Sequence, residues 1–125
     1  MARLDVEGEH IVLRLSALEK LGAMHRNVTV PLTAVRDVRA TDTPWSELRG
    51  LRAPGTGIPG VIALCTLRGR GFRDFAAIYR RGPAVVIDAE GAKFDRLIVS
   101  CVDAASEVAR LRAELTAPDP PAPAA

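Results

Sequence analysis

Aromatic residues are scarce in this chain: three Phe, one Tyr and one Trp among 125 residues. Two of them, Phe72 and Tyr79, stand in the arginine-rich hairpin and add aromatic surface able to meet a base or a lipid interface. Cysteines are as few. Cys65 and Cys101 both sit in apolar, strand-like runs, too few thiols for a Cys-only zinc site and best read as reduced small hydrophobes. The two histidines, His10 and His25, have no His or Cys at ligand spacing, so no metal or other cofactor is expected. No strongly apolar run reaches ten residues, well short of a bilayer-spanning helix. Charged residues follow Met1 within a few positions, at Arg3, Asp5 and Glu7, which predicts no signal peptide and a cytoplasmic location. Lysine is almost absent as well, since 15 of the 17 basic residues are Arg. The net charge of +2 is near balance and gives no argument for a nucleic-acid partner.

What is present is a β-rich pattern with two helical stretches. Met1 to Glu9 is polar, a loose end or an edge strand. His10–Leu15 is β-branched and leucine-rich, a first strand. Ser16 with Glu19 has capping-box spacing, and Leu18, Leu21 and Met24 form the apolar stripe of a short helix. Val28, Val30 and Leu32 alternate with Thr29, Pro31 and Thr33, so one face is buried, and Pro31 confines this strand to an edge or ends it. Ala34–Arg39 predicts a bent strand. Thr43-Pro44 opens a short helical turn carrying Trp45, Leu48 and Leu51, and the R-A-P-G-T-G-I-P-G run that follows is expected to be loop. Val61–Leu67, Phe72–Tyr79, Ala84–Asp88 and Phe94–Cys101 then read as four strands in a mainly antiparallel hairpin series. Asp103 caps a last helix with Ala104, Val108, Leu111 and Leu115 on one face. The expected organisation is one domain over residues 1–117 and a disordered Pro/Ala tail over 118–125.

This layout, a β-rich body finished by an amphipathic helix, resembles the pleckstrin-homology-like superfold. The N-V-T-V-P-L-T-A-V-R-D-V run at Asn27–Val38, the R-G-L-R-A-P-G-T-G-I-P-G-V-I-A-L run at Arg49–Leu64 and F-D-R-L-I-V-S at Phe94–Ser100 are similar to uncharacterised actinobacterial PH-like domain proteins. The resemblance implies an α+β fold: a strongly bent, mainly antiparallel sheet or barrel closed by the C-terminal helix, here with an extra short N-terminal helix. It carries no assigned chemistry. The first strand connection offers only Lys20 and Arg26, so the basic signature of phosphoinositide-binding members does not carry over.

Two surfaces are candidates. Arg68, Arg70, Arg73, Arg80 and Arg81 surround one hairpin with Asp74 as the acid among them, and arginine suits carboxylate or phosphate contact. Trp45, Arg49, Arg52, Gly55 and Gly57 would form the rim of the Gly/Pro loop. That loop lacks the Gly-Lys-Ser/Thr ending of a phosphate loop and precedes a strand. No nucleophile elbow surrounds Ser100 or Cys101. These features predict a non-catalytic interaction or structural module with an unknown protein partner. An anionic membrane surface and self-association through the strand near Pro31 are lesser expectations, and nucleic acid is disfavoured. The alternative is a small-molecule-binding protein or weak enzyme, with a pocket between the Gly/Pro loop and the Ser16–Met24 helix.

Overall fold

The computed structural model describes residues 2–23 and 25–116, without the side chains of 51–54 and 116. The stretch expected to be a tail, 118–125, lies outside them. Among the described residues the protein is an α+β domain of two sheets and two helices. A three-stranded antiparallel sheet has the order β1 (Arg3–Glu7), β2 (His10–Arg14), β3 (Val28–Pro31). Helix α1 (Ala17–Ala23) is inserted between β2 and β3. The second sheet contains β4 (Val35–Thr41), β5 (Leu51–Ile58), β6 (Ile62–Gly69), β7 (Phe72–Tyr79), β8 (Ala84–Ala89) and β9 (Arg96–Ser100), and α2 (Ala104–Thr116) ends the described chain.

Several local rules are obeyed. The Ser16 N–H donates to Glu19 Oε1 (2.9 Å) and the Glu19 N–H to Ser16 Oγ (3.1 Å), closing the capping box. Pro31 ends β3, an edge strand of the small sheet. The register of β4 shifts between Val35 and Asp37, the bend expected there. The N-terminal stretch is the edge strand β1 rather than a loose end.

Four expectations are corrected. First, in place of a single bent sheet or barrel, the described strands form two sheets and no closed barrel. Second, the second half is not a simple hairpin series. The order of the large sheet is β4-β8-β9-β7-β6-β5, and β9 lies between β7 and β8, parallel to β7. Leu97, Ile98 and Val99 of β9 are all buried, so this strand is apolar on both faces and takes a central place. Third, the Gly/Pro run is the edge strand β5. Ala53 and Pro54 stand together opposite Thr66, so the proline falls in a bulge of an edge strand, where it is tolerated. Gly55, at φ 132°, brings its backbone against Leu64 and Cys65 where a Cβ would collide. Fourth, α1 turns the other way: Leu18 and Leu21 are 81% and 76% exposed, while Glu19 and Ala23 are buried.

The main core lies between the sheets and under α2. Ile11, Leu13, Val28 and Val30 of the small sheet meet Phe75, Val85, Ile87 and Leu97 of the large one, and Ala104, Val108 and Leu111 of α2 complete it. A second core covers the outer face of the large sheet: Ala63, Cys65, Leu67, Ala76, Ile78, Ala84, Val86 and Ile98. It is sealed by the chain itself. β4 and β5 are opposite edges of the sheet, so residues 42–50 must cross the whole outer face to join them. This strap includes a 3-10 turn at Pro44–Glu47 and packs Trp45 and Leu48 on the face beneath.

Candidate functional site

The strap is tied down by ions. Arg39 of β4 makes a two-pronged bond to Glu47 (2.7 and 2.8 Å). Arg96 of β9 bonds Asp88 of β8 (2.7 Å) and reaches Glu47 (3.4 Å). Arg49, at the far end of the strap, makes a second two-pronged bond to Asp74 of β7 (2.6 and 3.0 Å). Asp74 is fully buried. The Arg49 guanidinium also lies 4.2 Å over the Phe72 ring. The hydrogen bond from Arg39 outweighs burial and holds the Glu47 carboxyl below its ordinary range, and the bonds to Asp74 hold Arg49 above its own. These groups alternate in sign and consume one another's charge. Their arrangement is that of a clamp.

The predicted loop rim is therefore spread over other tasks. Arg49 is a clamp. Gly55 and Gly57 are inside β5, paired to Cys65 and Ala63. The Arg52 side chain lies outside the described residues. Trp45 is half-buried, and its Nε1–H donates to the carbonyl of Arg80 (2.8 Å). Arg80 has φ 54°, a left-handed conformation that non-glycine residues rarely adopt. Its N–H is held by the Val61 carbonyl (2.7 Å) while its own carbonyl is held by Trp45, which fixes the turn from both sides. A shallow pocket of about 490 Å³ beside it is lined by Thr43, Trp45, Ser46, Pro59 and Arg81 among others.

The five arginines of the predicted basic hairpin divide. Arg68 and Arg73 face each other directly across β6–β7, with Arg70 in the turn beyond. Arg80 and Arg81 follow the opposite end of β7, an eight-residue strand, and so lie roughly 23 Å away at the usual rise per residue. Among the described residues, no carboxylate pairs with Arg68, Arg70 or Arg73. Asp95, next to them, spends its carboxylate on the backbone N–H of Arg73 (2.8 Å).

A second group of cations lies on the same flank, drawn together by the fold rather than by any local motif. Lys20, His25, Arg26 and Lys93 line one open depression with no acid among its lining residues. The His25 ring packs on Phe75 and Phe94, both at 5.4 Å. Its Nδ1–H donates to the Arg26 carbonyl (2.7 Å) and its Nε2 accepts from Lys93 (3.1 Å); a carbonyl can only accept and an ammonium only donate, which sets the tautomer. Phase and contact link this depression to the hairpin. Phe75 lies two residues from Arg73 on one face of β7, and Asp95, bonded to the Arg73 backbone on both sides, is two residues from Lys93. No local motif announces this grouping. The residues come from three segments far apart in the chain.

A third feature lies on the other side of α1. An open pocket of about 410 Å³ lies between the helix and β5–β7 and is lined by Leu18, Glu19, Thr56, Ile62, Leu64 and Tyr79, with Ser16 and Gly22. This is where the alternative reading of the sequence placed a pocket. The Tyr79 hydroxyl donates to Glu19 Oε2. Burial, then the bond to Glu19, push the Tyr79 phenol well above its ordinary value. Burial alone would raise the Glu19 carboxyl, but its bonds from Ser16 and Tyr79 hold it below the usual range.

Among the described residues, no helix is long and apolar enough to cross a membrane. Comparison with protein-family models, with curated proteins and with solved structures finds no match to this chain.

Proposed function

We propose that the chain is a non-catalytic interaction module whose basic flank takes an acidic segment of a protein partner. The observation that carries this is the direct opposition of Arg68 and Arg73 across β6–β7, with Arg70 at the tip and no carboxylate paired to any of them among the described residues. Like charges directly opposite each other in a ladder destabilise a sheet. Arg39, Arg49 and Arg96 each meet a carboxylate, and the three at this tip, which meet none among the described residues, leave a surface open. Arg26, Lys93 and Lys20 extend the same sign along the flank. Such a surface steers an acidic partner into register and binds it more weakly as salt rises.

The reading includes PH-like kinship. What supports it is that α2 follows the last strand and enters the core between the sheets. The parallel insertion of β9 and the helix α1 are departures from that pattern.

A fluorescein-labelled poly-glutamate peptide tests the function by anisotropy, beside vesicles of phosphatidylglycerol in phosphatidylcholine. The expected result is salt-sensitive peptide binding that Arg68→Glu, Arg70→Glu and Arg73→Glu together abolish, with Arg36→Glu as the exposed control. Binding of the vesicles alone would move the target to a membrane surface. Binding of neither, or full retention in the triple variant, removes the reading.

A further inference from the structure

The pocket beside α1 has a one-sided hydrogen-bonding character. Its volume of about 410 Å³ falls in the range that holds small ligands. Leu18, Ile62 and Leu64 give it aliphatic walls. Most hydrogens of its polar groups are already committed. The Tyr79 hydroxyl donates to Glu19 Oε2, the Thr56 hydroxyl to the Gly22 carbonyl (2.7 Å), and the Ser16 N–H to Glu19 Oε1 (2.9 Å). The Ser16 hydroxyl, whose oxygen receives the Glu19 N–H, belongs to an exposed residue at the mouth. A molecule entering the pocket therefore meets lone pairs on Glu19, Tyr79 and Thr56 and the charge of a carboxylate in a residue only 4% exposed. A carboxylate head would meet like charge there. An alcohol would supply one donor. An ammonium supplies three donors and the opposite charge.

The rim matches an apolar body. Leu18 is 81% exposed, and Ile58, on the same face of β5 as Thr56, is 53% exposed. Both are large hydrophobic side chains at or next to this opening, where a chain longer than the pocket would lie along them.

We propose that this pocket binds a hydrophobic amine, its ammonium on Glu19 with the Tyr79 and Thr56 oxygens as further acceptors, and its body against Leu18, Ile62 and Leu64. The site is separate from the basic flank and independent of the function proposed for it.

Three probes with one body and different heads test it by calorimetric titration of the full chain: n-octylammonium, n-octanol and n-octanoate. The amine is expected to bind about tenfold or more tighter than the alcohol, which corresponds to one charge-assisted contact, and the octanoate weakest. Glu19→Gln should reduce the amine to the affinity of the alcohol. Because that change also touches the capping box, Leu18→Arg serves as a second variant. It sets a cation at the exposed mouth and leaves the box intact, and it should weaken the amine several-fold while strengthening the octanoate. Amide shifts on adding the amine should centre on Glu19, Thr56 and Tyr79. Octanoate binding as tightly as the amine, an amine affinity unchanged in both variants, no binding of any probe, or shifts centred elsewhere would each overturn the proposal.

Discussion

Across the outer face of the large sheet, Arg39, Arg49 and Arg96 each meet a carboxylate; at the tip of β6–β7, Arg68, Arg70 and Arg73 meet none among the described residues. One member of the clamp lies close to the tip. Arg68 and Arg49 are separated by little more than Phe72, since the strap residue Gly50 packs on both the Arg68 backbone and that ring. Side-chain type therefore says nothing about role here. What separates clamp from open surface is which acids the topology delivers. The strap brings Glu47 down onto β4 and β9, and β7 holds Asp74 beneath Arg49. The tip receives only Asp95, whose carboxylate is turned to backbone.

The clamp is where disruption should cost most. Asp74 is fully buried, whereas the Arg49 side chain is 39% exposed. Arg49→Ala would strand the carboxylate, and about 3–5 kcal/mol of stability should be lost. Asp74→Ala leaves an arginine able to turn to water, so the loss should be nearer 1–2 kcal/mol. Urea denaturation followed by circular dichroism reads both. Equal losses would mean that burial of Asp74 is not what sets the strength of the clamp.

Glu47 sharpens the comparison through pH. Its carboxyl is held below its ordinary value of 4.5, chiefly by the bond from Arg39. A depressed folded value contributes stability that is complete above the unfolded value and lost as pH falls through the folded one. The protein should therefore lose stability on acidification below about pH 4.5. Glu47→Gln should cost about 1.5–3 kcal/mol at neutral pH, the usual worth of a hydrogen bond to a charged group, and flatten that acid limb. Denaturation midpoints collected from pH 3 to 7 check it; an unchanged limb would place the acid sensitivity elsewhere.

How much of this was legible in the sequence follows from what each pattern encodes. Ser16 with Glu19 is a local rule and holds as written. So does the α2 stripe, with Ala104, Val108 and Leu111 all in the core, because a helix with one apolar face has one way to bury it. In α1 periodicity found a stripe but not its direction. The helix has seven residues, and the hydrogen bond from Tyr79, distant in the chain, turns Glu19 toward the sheet and leaves Leu18 and Leu21 outside. β5 was missed because proline and glycine signal loops, whereas an edge strand with a bulge tolerates both. The place of β9 is a matter of strand order, which short turns do not encode. Residue type does not encode position, and five arginines in one stretch of chain form two groups at opposite ends of a strand.

The smallest expected change separates the two regions most sharply. Arg73→Glu would place an acid directly opposite Arg68. Opposite charges across a ladder stabilise by about 0.2–1 kcal/mol, so the variant should unfold at slightly higher urea than the parent protein. The same change removes one cation from the tip and pairs a second, so binding of the acidic peptide should fall steeply. No clamp arginine can behave this way, since reversing its charge loses both fold and contact. A variant that gains stability and loses binding identifies the tip as a surface kept at the expense of the fold. A loss of stability would show instead that Arg73 is held by contacts of its own, and the tip would then join the clamp as part of the structure.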